Sequence, residues 1–291
     1  MMSDTLLRGI TKDMQFRIFA VNATQTVQQA RDLHDLSPIS TLLLGKMLCG
    51  AAMLSMDLKR PEAEITIRIN GQGELQGGVA ICTASGFLRG YAYQPKLLLS
   101  EARDNFFTGK ALGNGTMTIM RTEPDKTPHS GTIDLVSGEI AEDLAYYFSQ
   151  SEQIPSAVNL GVLIDPNARI RSAGGFIIQQ LPNAKPELAD KLNDNIAQTP
   201  HISDLMDMGL SIEEIMNRFV LKDIPWQINE QRAIAYKCKC SKDRFAAALV
   251  TLGAQELESM TDGIKPVCHY CNTEYIFTHQ DMIDIINKAK L

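Results

Sequence analysis

The chain has 291 residues, 44% of them hydrophobic and 21% charged, which is enough apolar material for about two domains and excludes a wholly disordered polypeptide. Lys and Arg number 28 against 34 Asp and Glu, a net charge of −6, with a pI near 5.4 and a mean hydropathy of −0.10. A chain-wide basic footprint for nucleic acid is therefore absent, which leaves only a local patch to consider.

The first residues carry charges throughout and lack the apolar stretch of a signal peptide. Thr5 to Val21 reads as strand-like, with Phe16, Ile18 and Ala20 on one face, and Thr24 to His34 as a polar helix. The longest apolar stretch, Ile39 to Leu58, approaches the length of a bilayer span but contains Lys46 and Asp57. A buried helix opening at Ser37-Pro38 and running to Asp57 is the better reading. The chain is expected to be cytoplasmic, with no membrane partner.

Ile65, Ile67 and Ile69 alternate with Thr66 and Arg68, the period-two mark of a half-buried strand, and Asn70-Gly71 supplies turn chemistry. Further strands are predicted over Leu75–Thr83, Phe87–Tyr93, Thr116–Arg121, Thr132–Val136, Asn159–Ile164 and Gly175–Leu181. Ser137 is expected to cap a helix whose apolar face holds Ile140, Leu144, Tyr147 and Phe148. Hairpins mixed with a few helices predict an α+β core domain over 1–181, not a βαβ array.

Pro182, Pro186 and Pro200 then punctuate short amphipathic segments. Leu188, Leu192 and Ile196 share a spacing of four. Ser211 and Glu214 form a capping box ahead of Ile212, Ile215, Met216, Phe219 and Val220 at helical spacing. Residues 182–235 are expected to form an amphipathic helical linker that must rest on something larger. Beyond it, Ser241 should start a helix that Gly253 stops, Val267 to Phe277 should form a knuckle and a strand, and Thr278 should start a last helix with Met282, Ile285 and Ile286.

Of six cysteines, Cys49 and Cys82 sit alone in apolar surroundings and read as small core residues. Cys238, Cys240, Cys268 and Cys271 form C-x-C, 27 intervening residues, then C-x-x-C. Two close pairs in an intracellular chain point to metal before structural disulfides. Zinc takes four soft ligands in a tetrahedron, and two short knuckles can each supply two thiolates. Residues 236–291 are too few for a core alone to suffice, so a single structural zinc is expected to fold them. C-x-C is unusual in an ordinary zinc ribbon, and that departure narrows the reading.

The quartet, with its flanking CKCSKDRFAAALVTLG and VCHYCNTEYIFT, closely resembles the redox-regulated heat-shock holdases, the bacterial thirty-three-kilodalton chaperonin family. SGEIAEDLAYYFSQSEQIPSAVNLGVLI and AGGFIIQQLPNA are similar to the core of the same family, so the match covers nearly the whole chain. The resemblance implies an ATP-independent holdase, inactive when reduced and zinc-bound, in which the zinc module covers apolar surface of linker and core. Oxidation by hypochlorous acid, or by peroxide with heat, would form Cys238–Cys240 and Cys268–Cys271 disulfides, release zinc, unfold module and linker, and let a homodimer bind unfolded or partly unfolded client proteins under oxidative or heat stress.

The residue chemistry makes such a switch workable. Zinc holds the sulfurs as thiolates, the form oxidants attack, and a sulfenic acid condenses with a near thiol. A disulfide across so short a loop constrains the unfolded chain little, so it returns far less stability than the metal supplied. Cys268–Cys271 is expected to close first, because C-x-x-C meets disulfide geometry with less strain than C-x-C.

Lys237, Lys239, Lys242 and Lys265 flank the knuckles and read either as partial neutralisation of a zinc–thiolate centre or as ordinary surface. His269 reads as a solvent-facing spacer, since four sulfurs complete the shell. Ile212, Ile215, Met216, Phe219 and Val220 are the candidates for client binding, with Leu192 and Ile196 beside them; packing against the core is the plainer explanation, and both hold if the face is covered at rest.

The alternative is a zinc-containing nucleic-acid-binding regulatory protein. Residues 237–291 carry seven basic and seven acidic side chains, whereas phosphate binding normally wants a basic excess. A thiol oxidoreductase built on Cys268 and Cys271 would need the motif at a helix N-terminus in a βαβ layout. Gly71-Gln72-Gly73 lacks the third glycine of a dinucleotide site, and neither a P-loop nor G-x-S-x-G is present. No enzyme activity is expected.

Overall fold

Period-two segments and one continuously apolar helix dictate most of the first of two units into which the chain divides, Met1–Lys237 and Cys238–Leu291. The computed structural model describes residues 3–98, 107–182 and 184–289. Thr5–Thr11 (β1) and Phe16–Asn22 (β2) are followed by Thr24–His34 (α1) and Pro38–Leu54 (α2). Glu64–Gly71 (β3), Gly77–Thr83 (β4), Phe87–Ala92 (β5), Thr108–Leu112 (α3), Gly115–Thr122 (β6) and His129–Asp134 (β7) come next, then Ile140–Tyr147 (α4), Ser156–Ile164 (β8) and Ile170–Gln180 (β9). Pro186–Gln198 (α5), Ile202–Asp207 (α6) and Ile212–Ile215 (α7) precede Trp226–Ala233 (β10) and Ala235–Tyr236 (β11).

The strands form a five-stranded sheet, β10-β1-β2-β9-β8, and a six-stranded sheet, β11-β5-β4-β3-β6-β7. Within them β11 runs parallel to β5, and the other pairings are antiparallel. Apolar on every face, α2 is buried except at Pro38 and Lys46, as a helix without a polar stripe must be. Ser37 caps it, and Lys46 reaches Glu139 at 2.6 Å. The segment Pro38–Asp57 is apolar and long enough to cross a membrane, but 94% of its most apolar window lies inside this unit. It is a core helix.

The mixed α+β architecture is the one expected, with local corrections. Thr5 to Val21 is a hairpin, turned at Met14 with a left-handed φ of 58°, not one strand. Ser137 does not cap α4: Glu139 occupies that position, and the Ser137 hydroxyl accepts the Glu139 amide instead. Within 182–235, Trp226–Ala233 is a strand, with alternate residues exposed. It pairs with β1 as an edge of the five-stranded sheet, so the helical expectation fails for that stretch. Helical residues there would have spread Trp226, Ile228 and their polar neighbours around the axis, whereas a pleat puts them on opposite faces.

The outer face of the five-stranded sheet carries its own core. Leu7, Ile18, Phe176 and Ile178 meet Leu192, Ile202, Leu205, Ile215, Met216 and Val220. Ser211 and Glu214 cap α7 reciprocally, as the sequence predicts.

The second unit contains Lys242–Val250 (α8), Ala254–Leu257 (α9) and His279–Ala289 (α10). Ser241 caps α8 by accepting the Arg244 amide, and Gly253 follows it at φ 86°, a conformation that suits glycine. Val267 to Phe277 forms isolated bridges, Ile264 with Phe277 and Val267 with Glu274, not the continuous strand expected. Leu257, Phe277, Met282, Ile285 and Ile286 form its buried apolar cluster among the described residues.

Candidate metal centre

Two short segments build the centre. Cys238 and Cys240 stand immediately before the capped start of α8. Cys268 and Cys271 occupy a tight loop: the Cys268 amide donates to Thr273 O (3.0 Å), the Asn272 amide to Cys268 O (2.8 Å) and the Tyr275 amide to Pro266 O (2.9 Å). Asn272 turns the loop at φ 54°, where asparagine is among the few tolerant side chains.

These segments bring all four sulfurs within 4.8 Å of one another. Cys238 Sγ lies 3.7 Å from Cys268 Sγ, and Cys240 Sγ lies 3.3 Å from Cys271 Sγ. Zinc–sulfur bonds of about 2.3 Å in a tetrahedron place sulfurs about 3.8 Å apart. The donor set is four soft sulfurs with no carboxylate or imidazole in the group, and spacing and softness together fit zinc.

Hydroxyls attend two of the sulfurs. Tyr275 Oη donates to Cys240 Sγ at 3.1 Å, and Thr273 Oγ1 lies 3.2 Å from Cys271 Sγ. Burial works against ionisation of Cys271, but the Thr273 hydroxyl and amide, together with hydrogen bonding to Cys240 and Cys268, outweigh it and hold the thiol down at about 7. Burial pushes the Cys238 and Cys268 thiols up. Hydrogen bonding to Cys240, ahead of burial, pushes the Tyr275 phenol up to about 12. Cys49 and Cys82 are buried in the first unit; burial lifts both thiols, Cys82 to about 12, which makes them poor nucleophiles.

The lysines near the knuckles are partly engaged elsewhere. Lys242 pairs with Asp281 at 2.9 Å, and Lys237, in the first unit, lies 4.4 Å above the Phe87 ring. His269 is exposed and lies outside the sulfur group. Ile212, Ile215, Met216 and Val220 are buried against the five-stranded sheet, with Phe219 half-buried beside them. Sequence reasoning missed Thr273 and Tyr275. Both lie on the return of the second knuckle, two and four residues beyond Cys271; that proximity could have pointed to Thr273, but not to the reach of Tyr275 across to Cys240.

A family model described as Hsp33 protein matches residues 4–278. The chain is 37% identical to a 33 kDa chaperonin of Lachnoclostridium phytofermentans, covering 99% of this chain and 100% of the relative. It is 39% identical to a 33 kDa chaperonin of Clostridium perfringens, over 99% and 93%. The crystal structure of the 33 kDa chaperonin of Thermotoga maritima superposes with a TM-score of 0.90 at 33% identity, covering 99% of each chain.

Proposed function

The chain belongs to the Hsp33 family, and on that footing we propose that it is an ATP-independent holdase controlled by oxidation of Cys238, Cys240, Cys268 and Cys271. Its division of labour follows the sequence: a core over 1–181, a linker over 182–235 and a redox switch over 236–291. The observation that carries the reading is four sulfurs within 4.8 Å inside a unit whose buried apolar cluster, among the described residues, is five side chains.

Zinc held by the four thiolates would keep them deprotonated and contribute on the order of 10–16 kcal/mol to folding the module. An oxidant then meets thiolates, the reactive form of cysteine. Each knuckle closes on itself, Cys238 with Cys240 and Cys268 with Cys271, giving up two electrons per pair. Disulfides over such short loops restrict the unfolded chain weakly. So small an apolar cluster cannot replace the lost ligation, so the module opens.

Ile212, Ile215, Met216, Phe219 and Val220 are the proposed client contacts. Packed on the sheet, four of them are buried and Phe219 is half-buried; once the linker loosens they present a continuous apolar strip to unfolded or partly unfolded proteins. The active form acts as a homodimer in the cytoplasm, without nucleic acid, membrane or catalytic turnover.

The test is to oxidise the reduced, zinc-loaded chain with hypochlorous acid while following free thiols, chelatable zinc and far-ultraviolet circular dichroism. Loss of four thiols, release of one zinc per chain and loss of helix signal in step support the switch. Four thiols lost with the module still folded would sink it.

A further inference from the structure

Tyr275 joins the metal centre to the core of its module. Its phenol donates to Cys240 Sγ at 3.1 Å, and its ring lies 5.0 Å from that of Phe245 with a tilt of 38°. Its amide is fixed on Pro266 O at 2.9 Å, and Phe245 and Tyr275 both pack on the cluster of Leu257, Phe277, Met282, Ile285 and Ile286. Phe245 rides on α8, whose cap Ser241 is the residue after Cys240. One side chain therefore touches both the sulfur and the packing that the sulfur's ligation supports.

We infer that Tyr275 is a positioning residue that restrains oxidation of Cys240 and ties the state of that sulfur to the folding of the module. The inference rests on the redox-switch reading above. A phenol hydrogen bond draws charge from a thiolate and occupies one of the lone pairs otherwise open to an electrophilic oxidant. With hypochlorous acid, the Cys240 thiolate takes the chlorine and hydroxide leaves. The Cys238 thiolate then attacks Cys240 Sγ, chloride leaves with its electron pair, and the S–S bond forms. The neutral disulfide sulfur is a weak acceptor, so the phenol loses its partner in the same step. The aromatic pair Phe245–Tyr275 is then freed from the centre that aligned it.

Tyr275→Phe keeps the ring and its stacking on Phe245 and removes the donor alone. In the reduced, cobalt(II)-loaded protein the sulfur-to-cobalt charge-transfer band is expected to move to lower energy, because an unbonded thiolate holds its electrons less tightly. Chelator competition is expected to show metal held about tenfold more weakly, the lower end of the range for losing an outer hydrogen bond. Metal release under limiting hypochlorous acid should run several-fold faster. Purely structural packing by Tyr275 would leave the band in place, and an unmoved band with an unchanged release rate overturns the inference. A parent chain that takes up no cobalt overturns the metal centre, and this inference with it.

Discussion

Tyr236 and His34, 202 residues apart in the chain, meet inside the first unit with the phenol oxygen 3.1 Å from Nε2 of the imidazole. The same phenol donates to Gly90 O at 2.7 Å and accepts the Gly90 amide at 3.1 Å, so the His34 tautomer that fits is the one protonated at Nε2. Tyr236 ends a strap of two short strands: β10 is built into the five-stranded sheet and β11 into the six-stranded one. In chain order that strap stands between the linker helices and Cys238.

Tyr236→Phe removes the oxygen that serves three buried partners. Leaving buried donors and acceptors unpaired costs about 1–3 kcal/mol. Urea unfolding of the first unit's fluorescence signal should show that loss, and a variant as stable as the parent would mean that water replaces the phenol.

Gly9 faces Trp226, and a Cβ there would lie 2.6 Å from the indole ring and 2.6 Å from Gln227 O. The indole in turn donates to Asn217 Oδ1 at 2.7 Å, which fastens β10 to the turn after α7. Gly9→Ala is expected to displace the ring and cost about 1–3 kcal/mol by overpacking. Trp226 is the chain's single tryptophan, so its emission maximum reads the displacement directly. An unshifted maximum contradicts it.

Ile215 is fully buried beneath α7. Ile215→Ala should destabilise the linker's seat by about 2–5 kcal/mol and raise binding of an apolar dye by the reduced protein at temperatures the parent tolerates. Unchanged dye binding would remove Ile215 from the proposed client strip.

Asp281 anchors the start of α10. The Thr278 amide, then the Lys242 ammonium, hold its carboxyl down at about 2, below the ordinary 3.8. A folded value below the unfolded one means that its stabilisation is fully present above 3.8 and is lost as pH falls toward 2. Carboxyl NMR titration of the folded chain should place the midpoint near 2; a midpoint near 3.8 would show that Thr278 and Lys242 leave the group as water does.

The sequence displays the centre more fully than the fold. Four cysteines at a narrow spacing specify their own chemistry, and Ser211, Glu214 and Ser241 announce their caps through local hydrogen bonding alone. The long apolar run opening at Ser37-Pro38 equally proclaims a buried helix. What stayed hidden depends on distant partners. Trp226–Ala233 looks like the tail of a helical linker until β1 supplies the ladder, and Tyr236 is unremarkable until chain folding brings Gly90 and His34 to it. Thr273 and Tyr275 lie close in sequence to Cys271, yet one of them serves Cys240 in the other knuckle. No spacing rule reads that.

The measurement that tests the central claim is light scattering by a heat-unfolded client, without ATP, in the presence of the reduced zinc-loaded chain or of the same chain after hypochlorous acid, with zinc release followed in parallel. Suppression of aggregation only after oxidation, accompanied by about one zinc per chain set free, is the predicted result. Equal suppression in both states, or none in either while zinc is released, would contradict a holdase governed by these four cysteines.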